Sequence, residues 1–550
     1  MHNLIPLLFL VQTPGVTSAP ATERQTVYWD GVDDQGRLFG GTLQLDVPKK
    51  GSITGVAPAS FESLTSGLVG PNSSNRVDLV FVGDGYTSAQ LGTYATHVNN
   101  IVASLFDIEP YRAYEPYFLV HRVDVSSAQS GVDNDPTEGI TKDTAMNMGY
   151  WCGGTERALC VDTGLAFQFA NNAPGVDLVC AIANSSKYGG VGYPSLNLAT
   201  SAGNNGSAIE IVRHEFGHAL GNLADEYDYG GSSTNYTGNE PGQVNISKLT
   251  SGQMTAASSK WYRWLGFNNP AFDGLVSTFV GAGYHQTGLN RPTNDSLMRS
   301  LGRPFNAPSA EAIILQIYGY AGPIDASSST TVTYDGTETL SVTPMAPVGH
   351  VLTIQWSLNG TPIPGATGTT LALAPLGITC NATVTVTVTD PTTMVRDEAA
   401  RAAFMTASRS FQVSPLPGPF SNSCVGAVNS TGVGSTMTWA GSNSVSANDL
   451  TLIATNCPVN AAGIFYFGST ATQVVFGNGF RCISGSTVRL GITNAGAFGE
   501  AVTVLDLNAL PIGAQIQAGD TRRFQFWYRN PAGGGAGFNL SDLLNVRFCP

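Results

Sequence analysis

His214 and His218 stand four positions apart in the run His214-Glu215-Phe216-Gly217-His218. On a helix of about 3.6 residues per turn this spacing points both imidazoles from one face, so that they can hold one metal ion between them. Glu215 sits beside the first of them. A carboxylate at that place can take a proton from metal-bound water, whose pKa zinc lowers to about 7, and pass it to a departing amine. A bare H-E-x-x-H run also occurs on helices that bind no metal. Here the chain has only seven His and two fall in this run, preceded by the amphipathic Ile209-Glu210-Ile211-Val212-Arg213. Two imidazoles need a third donor to make a zinc site. Gly221 can adopt a left-handed conformation, end the helix and return the chain toward the metal, as the glycine of the extended metzincin pattern does. The ligand position of that pattern holds Ala224, which has no donor atom, and Asp225 and Glu226 follow directly. Asp225 is the expected third ligand, with Glu226 the second choice.

These residues need a scaffold, and the apolar periodicity supplies one. A buried strand is expected at 77–82, a helix at 88–106, strands at 117–125 and 176–184, and the histidine helix at about 208–220. This α/β texture runs over residues 76–322. Residues 22–75 read as a β-rich lead-in that ends in a Gly/Ser/Asn-rich linker. Residues 323–415 show short alternating strands, expected to form an immunoglobulin-like sandwich with Trp356 and Cys380 as core candidates and a short helix near 397–404. Pro415, Pro417 and Pro419 mark a second boundary, beyond which residues 416–550 read as a further all-β domain.

The 550 residues exceed what one core can hold, and several domains are expected. Net charge is −13, only 12% of residues are charged, and no Lys/Arg run occurs, so nothing offers the basic surface that nucleic acid requires. The apolar run Leu4 to Val11 followed by Ala19-Pro20-Ala21 has the pattern of a signal peptide over residues 1–21. No segment carries the roughly 18 unbroken apolar residues of a membrane span. The expected location is therefore extracellular or cell-surface associated. In that oxidising setting Cys152 and Cys160 are expected to close a small loop, and Cys424, Cys457, Cys482 and Cys549 to form two bridges. The absence of a D-x-D-x-D-G loop argues against calcium at Asp84, Asp133 or Asp295, and no G-x-S-x-G elbow or phosphate-cradling loop is found.

From His214 to Tyr227 the sequence HEFGHALGNLADEY resembles the IgA-peptidase family (M64) of zinc metallopeptidases. Val77-Asp78-Leu79-Val80-Phe81-Val82-Gly83-Asp84-Gly85-Tyr86-Thr87 and Tyr117-Phe118-Leu119-Val120-His121-Arg122-Val123-Asp124-Val125 are similar to its first two strands. The resemblance spans about residues 76–322. It implies a zincin or metzincin-like α+β catalytic domain, a Zn²⁺ cofactor, a protein or peptide substrate and a bacterial source. It also implies that Arg291-Pro292 and Ser296-Leu297-Met298-Arg299 form a Met-turn, with Met298 an apolar floor under the metal. Ser296 stands where relatives often carry a Cys. Tyr188, Gly189 and Gly190 resemble the open sheet edge above a zincin cleft, which can pair with an extended substrate. Tyr284 and His285 precede the Met-turn and are candidate contacts to the metal or the oxyanion. The last segment resembles β domains of secreted environmental bacterial proteins and is a candidate for cell-surface or glycan contact. The competing expectations are a noncatalytic surface-binding protein on a zincin scaffold, and a zinc hydrolase of another amide or a glycopeptide.

Overall fold

A computed structural model describes residues 22–33, 37–49, 52–53, 55–64, 74–229, 234–416 and 418–550. The expected signal peptide and most of the expected linker before residue 74 lie outside the described residues. The chain is of mixed α+β type and divides into two compact units: 1–326 with 343–353 and 388–407, and 327–342 with 354–387 and 408–550.

The first unit is organised by one mixed sheet. Its strands are β1 (Thr22–Val32), β2 (Leu38–Pro48), β3 (Ser60–Ser63), β4 (Val77–Asp84), β5 (Phe118–Asp124), β6 (Leu178–Ala183), β7 (Gly190–Tyr193) and β8 (Leu198–Ala202). Their spatial order is β2-β1-β7-β8-β6-β4-β5-β3. The central β5, β4, β6 and β8 run parallel. Strands covered on both faces read as continuous apolar runs, and β6, Leu-Val-Cys-Ala-Ile-Ala, is buried at every position. Helix α1 (Leu91–Leu105) turns Tyr94, Val98, Ile101 and Leu105, spaced three or four apart, into the interior. Its expected first turn is instead a 3₁₀ turn, Ser88–Gln90, closed by the reciprocal Thr87 and Gln90 capping box. Helix α2 (Ala208–Ala219) carries the two histidines and packs against β7 and β8.

One expectation about the sheet is overturned. The glycine-rich strand β7 is not an open edge: β8 pairs with it on one side and β1 on the other, both antiparallel. The lead-in is therefore part of this sheet, because a strand with free backbone groups on one side is a template for any extended segment that can reach it.

The second unit is built from antiparallel and mixed β-structure. Residues 382–387 alternate without a break, Ala382, Val384 and Val386 inward and three threonines outward. Trp356 is fully buried and donates its indole N–H to Gly368 O (2.9 Å). Phe465, Phe467, Phe524, Phe526 and Tyr528 form the centre of a second cluster. Cys152–Cys160 is bridged as expected. The C-terminal pairing is corrected: the bridges are Cys424–Cys482 and Cys380–Cys549, and Cys457 is a buried free thiol. Convergence of side-chain directions decides pairing, and the fold brings Cys380 and Cys549 to a Cα separation of 6.0 Å across 169 residues of sequence. Cys380 is thus a bridge residue, while Cys457 belongs to the apolar cluster with Phe465 and Phe526.

Candidate metal centre and cleft

Helix α2 is buried from Ile211 to its end, so every side chain there faces something specific. Two glycine requirements follow from close approach rather than from backbone conformation. A Cβ on Gly217 would run into the sulfur of Met298, so glycine lets the helix settle on that buried methionine. A Cβ on Gly190 would stand 2.6 Å from Glu215 Oε1, and one on Gly192 would stand 2.8 Å from His218 Cβ and 2.9 Å from Glu215 Oε2. Strand β7 therefore lies directly against the face of the helix that carries Glu215 and His218. Gly189 is likewise crowded, by the Tyr150 ring.

The end of α2 differs from expectation in one residue. Asn222, not Gly221, takes the left-handed conformation (φ 49°), while Gly221 is needed because a Cβ there would meet Gly217 O at 2.8 Å and Ile313 at 3.0 Å. Leu223 N donates back to Gly217 O (2.9 Å), which reverses the chain and brings Asp225 beneath the histidines.

Both imidazoles are oriented by main-chain carbonyls. His214 Nδ1 donates to Leu297 O (2.9 Å) and His218 Nδ1 to Leu223 O (2.8 Å). In neutral rings this leaves both Nε2 lone pairs facing one point, 3.2 Å apart. Asp225 Oδ1 lies 3.1 Å from His214 Nε2 and 3.4 Å from His218 Nε2. Ligands bound at about 2.0–2.1 Å to a tetrahedral zinc stand about 3.3 Å apart. A fourth donor joins them from an unforeseen place: Asp30, on β1, puts Oδ2 3.0 Å from His214 Nε2 and 3.9 Å from His218 Nε2. All four residues are buried and their donor atoms lie within 4.8 Å of one another.

This donor set fits a divalent cation. Asp30 Oδ2, Asp225 Oδ1 and both oxygens of Glu215 are buried without a hydrogen-bond donor, an arrangement that is costly unless a positive charge compensates it. The electrostatics are those of an anionic pocket. Glu215 is pushed well above the usual carboxyl range by burial and by the Asp30 carboxylate, with His214 pulling the other way. Burial pushes Asp225 up too, but the His218 and His214 imidazoles outweigh it and hold the group well below its ordinary value. Burial lowers His214, yet Asp30 and Asp225 raise it well above the ordinary imidazole range. With neutral imidazoles, Asp30 and Asp225 bring the two negative charges that a divalent cation would neutralise.

The other sequence-predicted residues separate into near and far. Glu226 points away from the donor group: Asn245 donates to its Oε1 (2.9 Å), Ser296 to Oε2 (2.8 Å) and Asn306 to both oxygens (2.8 and 3.0 Å). Burial still raises it to about 7 against these bonds. Its N–H donates to Met298 O (2.7 Å), tying the Asp225 turn to the Met298 turn. Ser296 thus serves as a hydrogen-bond donor where a cysteine was the familial expectation. Tyr284 donates its hydroxyl to Asp225 Oδ2, and its own phenol is raised by burial and by Asp225. His285 lies outside the donor group, its Nδ1 donating to Gly283 O (2.5 Å) and its ring edge-on to Tyr236. Tyr188 stays partly exposed, its phenol raised well up by desolvation and then by Asp30, Glu215 and Asp225.

Asp30 was missed because it sits in a plain alternating strand, Thr22–Val32, with no local motif. Its only sequence signal is an inward-facing carboxylate in a β-strand, next to Gly31.

Residues 68–273 match the family described as IgA Peptidase M64. No curated protein matches. Among solved structures, a quinonprotein alcohol dehydrogenase-like protein from Bacteroides thetaiotaomicron VPI-5482 is 13% identical over 37% of this chain and 45% of its own length, with a TM-score of 0.14. This chain thus spans under half of that protein, and a likeness so slight carries no argument.

Proposed function

We propose, from the premise that residues 68–273 match the IgA Peptidase M64 family, that this chain is a secreted zinc-dependent endopeptidase built on a zincin-like domain. The observation that carries the reading is the convergence of His214 Nε2, His218 Nε2 and Asp225 Oδ1 within 3.1–3.4 Å of one another, with Glu215 buried beside them. A bound zinc would supply a Lewis acid that polarises the scissile carbonyl and acidifies water.

The chain's own residues do the rest. Glu215 accepts the proton of the attacking water and returns it to the departing amine, so no covalent intermediate forms. Were β1 displaced from it, strand β7 would present main-chain N–H and C=O groups to an extended peptide, and the glycines at 190 and 192 would let that peptide lie close to Glu215. Leu297 O and Leu223 O hold the imidazole tautomers, and Tyr284 holds Asp225. Met298 supports the helix from below. His285 takes a structural place, and Tyr188, partly exposed, is a candidate substrate contact. The proposed domain scheme keeps the peptidase at 76–322, followed by β modules at 323–415 and 416–550. The cleft lined by Tyr466, Phe476, Arg481, Arg489 and Trp527 supports surface or glycan contact for the last of these.

No helix among the described residues is long and apolar enough to cross a membrane. The disulfides support an oxidising compartment. The reading is tested by casein and peptide-library cleavage with wild type, Glu215→Gln and chelator-treated protein, together with metal analysis. Loss of cleavage in both treated samples, with zinc retained by Glu215→Gln, is expected; a wild-type chain without bound metal would overturn it. A noncatalytic metal-bearing scaffold is favoured by one observation, that Asp30 completes four protein donors, as in closed structural zinc sites.

A further inference from the structure

We infer that the hairpin of β1 and β2 is a tethered occupant of the substrate groove and that Asp30 is a fourth, displaceable ligand of the metal, so that the full chain is latent until this hairpin leaves. The inference rests on the peptidase reading above and names how that site is regulated.

A catalytic zinc keeps one position for water or substrate, whereas four protein ligands close the site. Asp30 takes that position from a strand that also takes the peptide's place. Tyr28 pairs with Gly192, Trp29 with Val191 and Asp30 with Gly190 along β7. These are the glycine positions that lie against Glu215 and His218. An extended substrate and β1 compete for the same backbone groups, and both cannot be present.

The occupant is anchored at three points. Asp30 Oδ1 accepts a hydrogen bond from Tyr227 O–H (2.6 Å), which aims Oδ2 at the histidines. The Tyr28 ring stacks on His218, with centroids 4.3 Å apart and planes 8° apart. Its hydroxyl accepts from Gln243 Nε2 (3.0 Å). On β2, Gly40 passes so close over Trp29 O and the Tyr227 hydroxyl that no Cβ fits there. Asp30 is 1% exposed, so the contact is built in rather than incidental. Strands β1 and β2 also lie outside the matched family segment, which begins at residue 68. A permanently closed structural site would have no use for Glu215, whose two carboxylate oxygens are kept buried beside it without donors.

The test uses cobalt(II)-loaded full-length chains: wild type, Asp30→Ala, Tyr28→Ala, and a chain with a cleavage site for an unrelated protease placed after Pro48. The visible spectrum of the cobalt reports its ligands, and a small hydroxamate probes for an open position. Wild type is expected to show no spectral response to the hydroxamate. Asp30→Ala and the cut chain are expected to respond, and to cleave casein about 10-fold or more faster, in proportion to the fraction of molecules whose groove is open. Tyr28→Ala is expected to fall between them. Equal spectra and equal hydroxamate responses in wild type, Asp30→Ala and the cut chain would overturn the inference. Should Asp30→Ala not fold, the cut chain, with every native side chain, gives the same reading. A hydroxamate response without casein or peptide cleavage in any opened form would sink the peptidase reading and leave the Asp30 ligation standing.

Discussion

The two compact units bury different kinds of side chain. The first encloses His214, His218, Asp30, Glu215, Asp225 and Glu226, with a buried Arg76–Asp325 ion pair (2.6 Å) elsewhere in its interior. The second centres on Trp356, Val384, Val386, Phe465, Phe524 and Phe526, with two disulfides. Burial of an apolar ring stabilises by about 1.5–3 kcal/mol, whereas burial of a lone carboxylate is strongly unfavourable. Selection for stability alone would fill an interior as the second unit's is filled. On the peptidase reading, the group of His214, His218, Asp30, Glu215 and Asp225 is where stability would be traded for chemistry, and this separation can be attacked from both sides.

The largest effect is expected at Glu215. Glu215→Gln should lower kcat/KM on a peptide substrate by about 10²–10⁴-fold, the range for loss of a general base, with bound metal unchanged. A comparable loss from a lesion in the second unit would break the comparison. Phe526→Ala should cost about 3–5 kcal/mol of stability in chemical denaturation without changing kcat/KM of the remaining folded protein. Replacing Cys380 and Cys549 together by Ser should cost about 2–4 kcal/mol, read in the same way under oxidising conditions. Gly217→Ala should cost about 1–3 kcal/mol, because the new Cβ lifts the helix from Met298, and should also speed metal loss to a chelator.

The smallest effect is a pH dependence. Asp390 accepts hydrogen bonds from Tyr114 O–H and Tyr318 O–H (both 2.7 Å) and faces His350 Nε2 at 2.9 Å. Burial raises it, but these partners outweigh burial and lower it below its ordinary value. A depressed carboxyl contributes stability above its unfolded pKa of about 3.9 and loses it as pH falls through the folded value. Asp390→Asn should therefore lower the thermal midpoint at neutral pH and flatten its decline below about pH 4. An unchanged acid slope would assign that decline to other carboxylates.

Much of the first unit's scaffold was legible because it is local. The apolar runs of β4 and β6 and the periodicity of α1 show through composition alone. The disulfides were half legible: Cys152 and Cys160 are near in sequence, whereas Cys380 finds Cys549 only through the packing of strands. Cys457 was misread because an isolated cysteine in a strand-rich stretch looks alike whether it is bridged or packed against Phe465.

By itself the sequence determined the pairing of His214 with His218, because helical geometry over four residues leaves little choice, and it narrowed the third donor to the turn that holds Asp225 and Glu226. There it ranked Asp225 ahead of Glu226, and the tertiary structure supplies the physical reason: Asp225 Oδ1 lies within 3.4 Å of both imidazoles, while Glu226 is taken up by its own donors at Asn245, Ser296 and Asn306. Tertiary structure alone brought Asp30 to the histidines. That contact depends on the register of β1 against β7, in which a shift of one residue would turn the carboxylate to the opposite face of the sheet, and register is a property of paired strands that neither strand carries in its own residues.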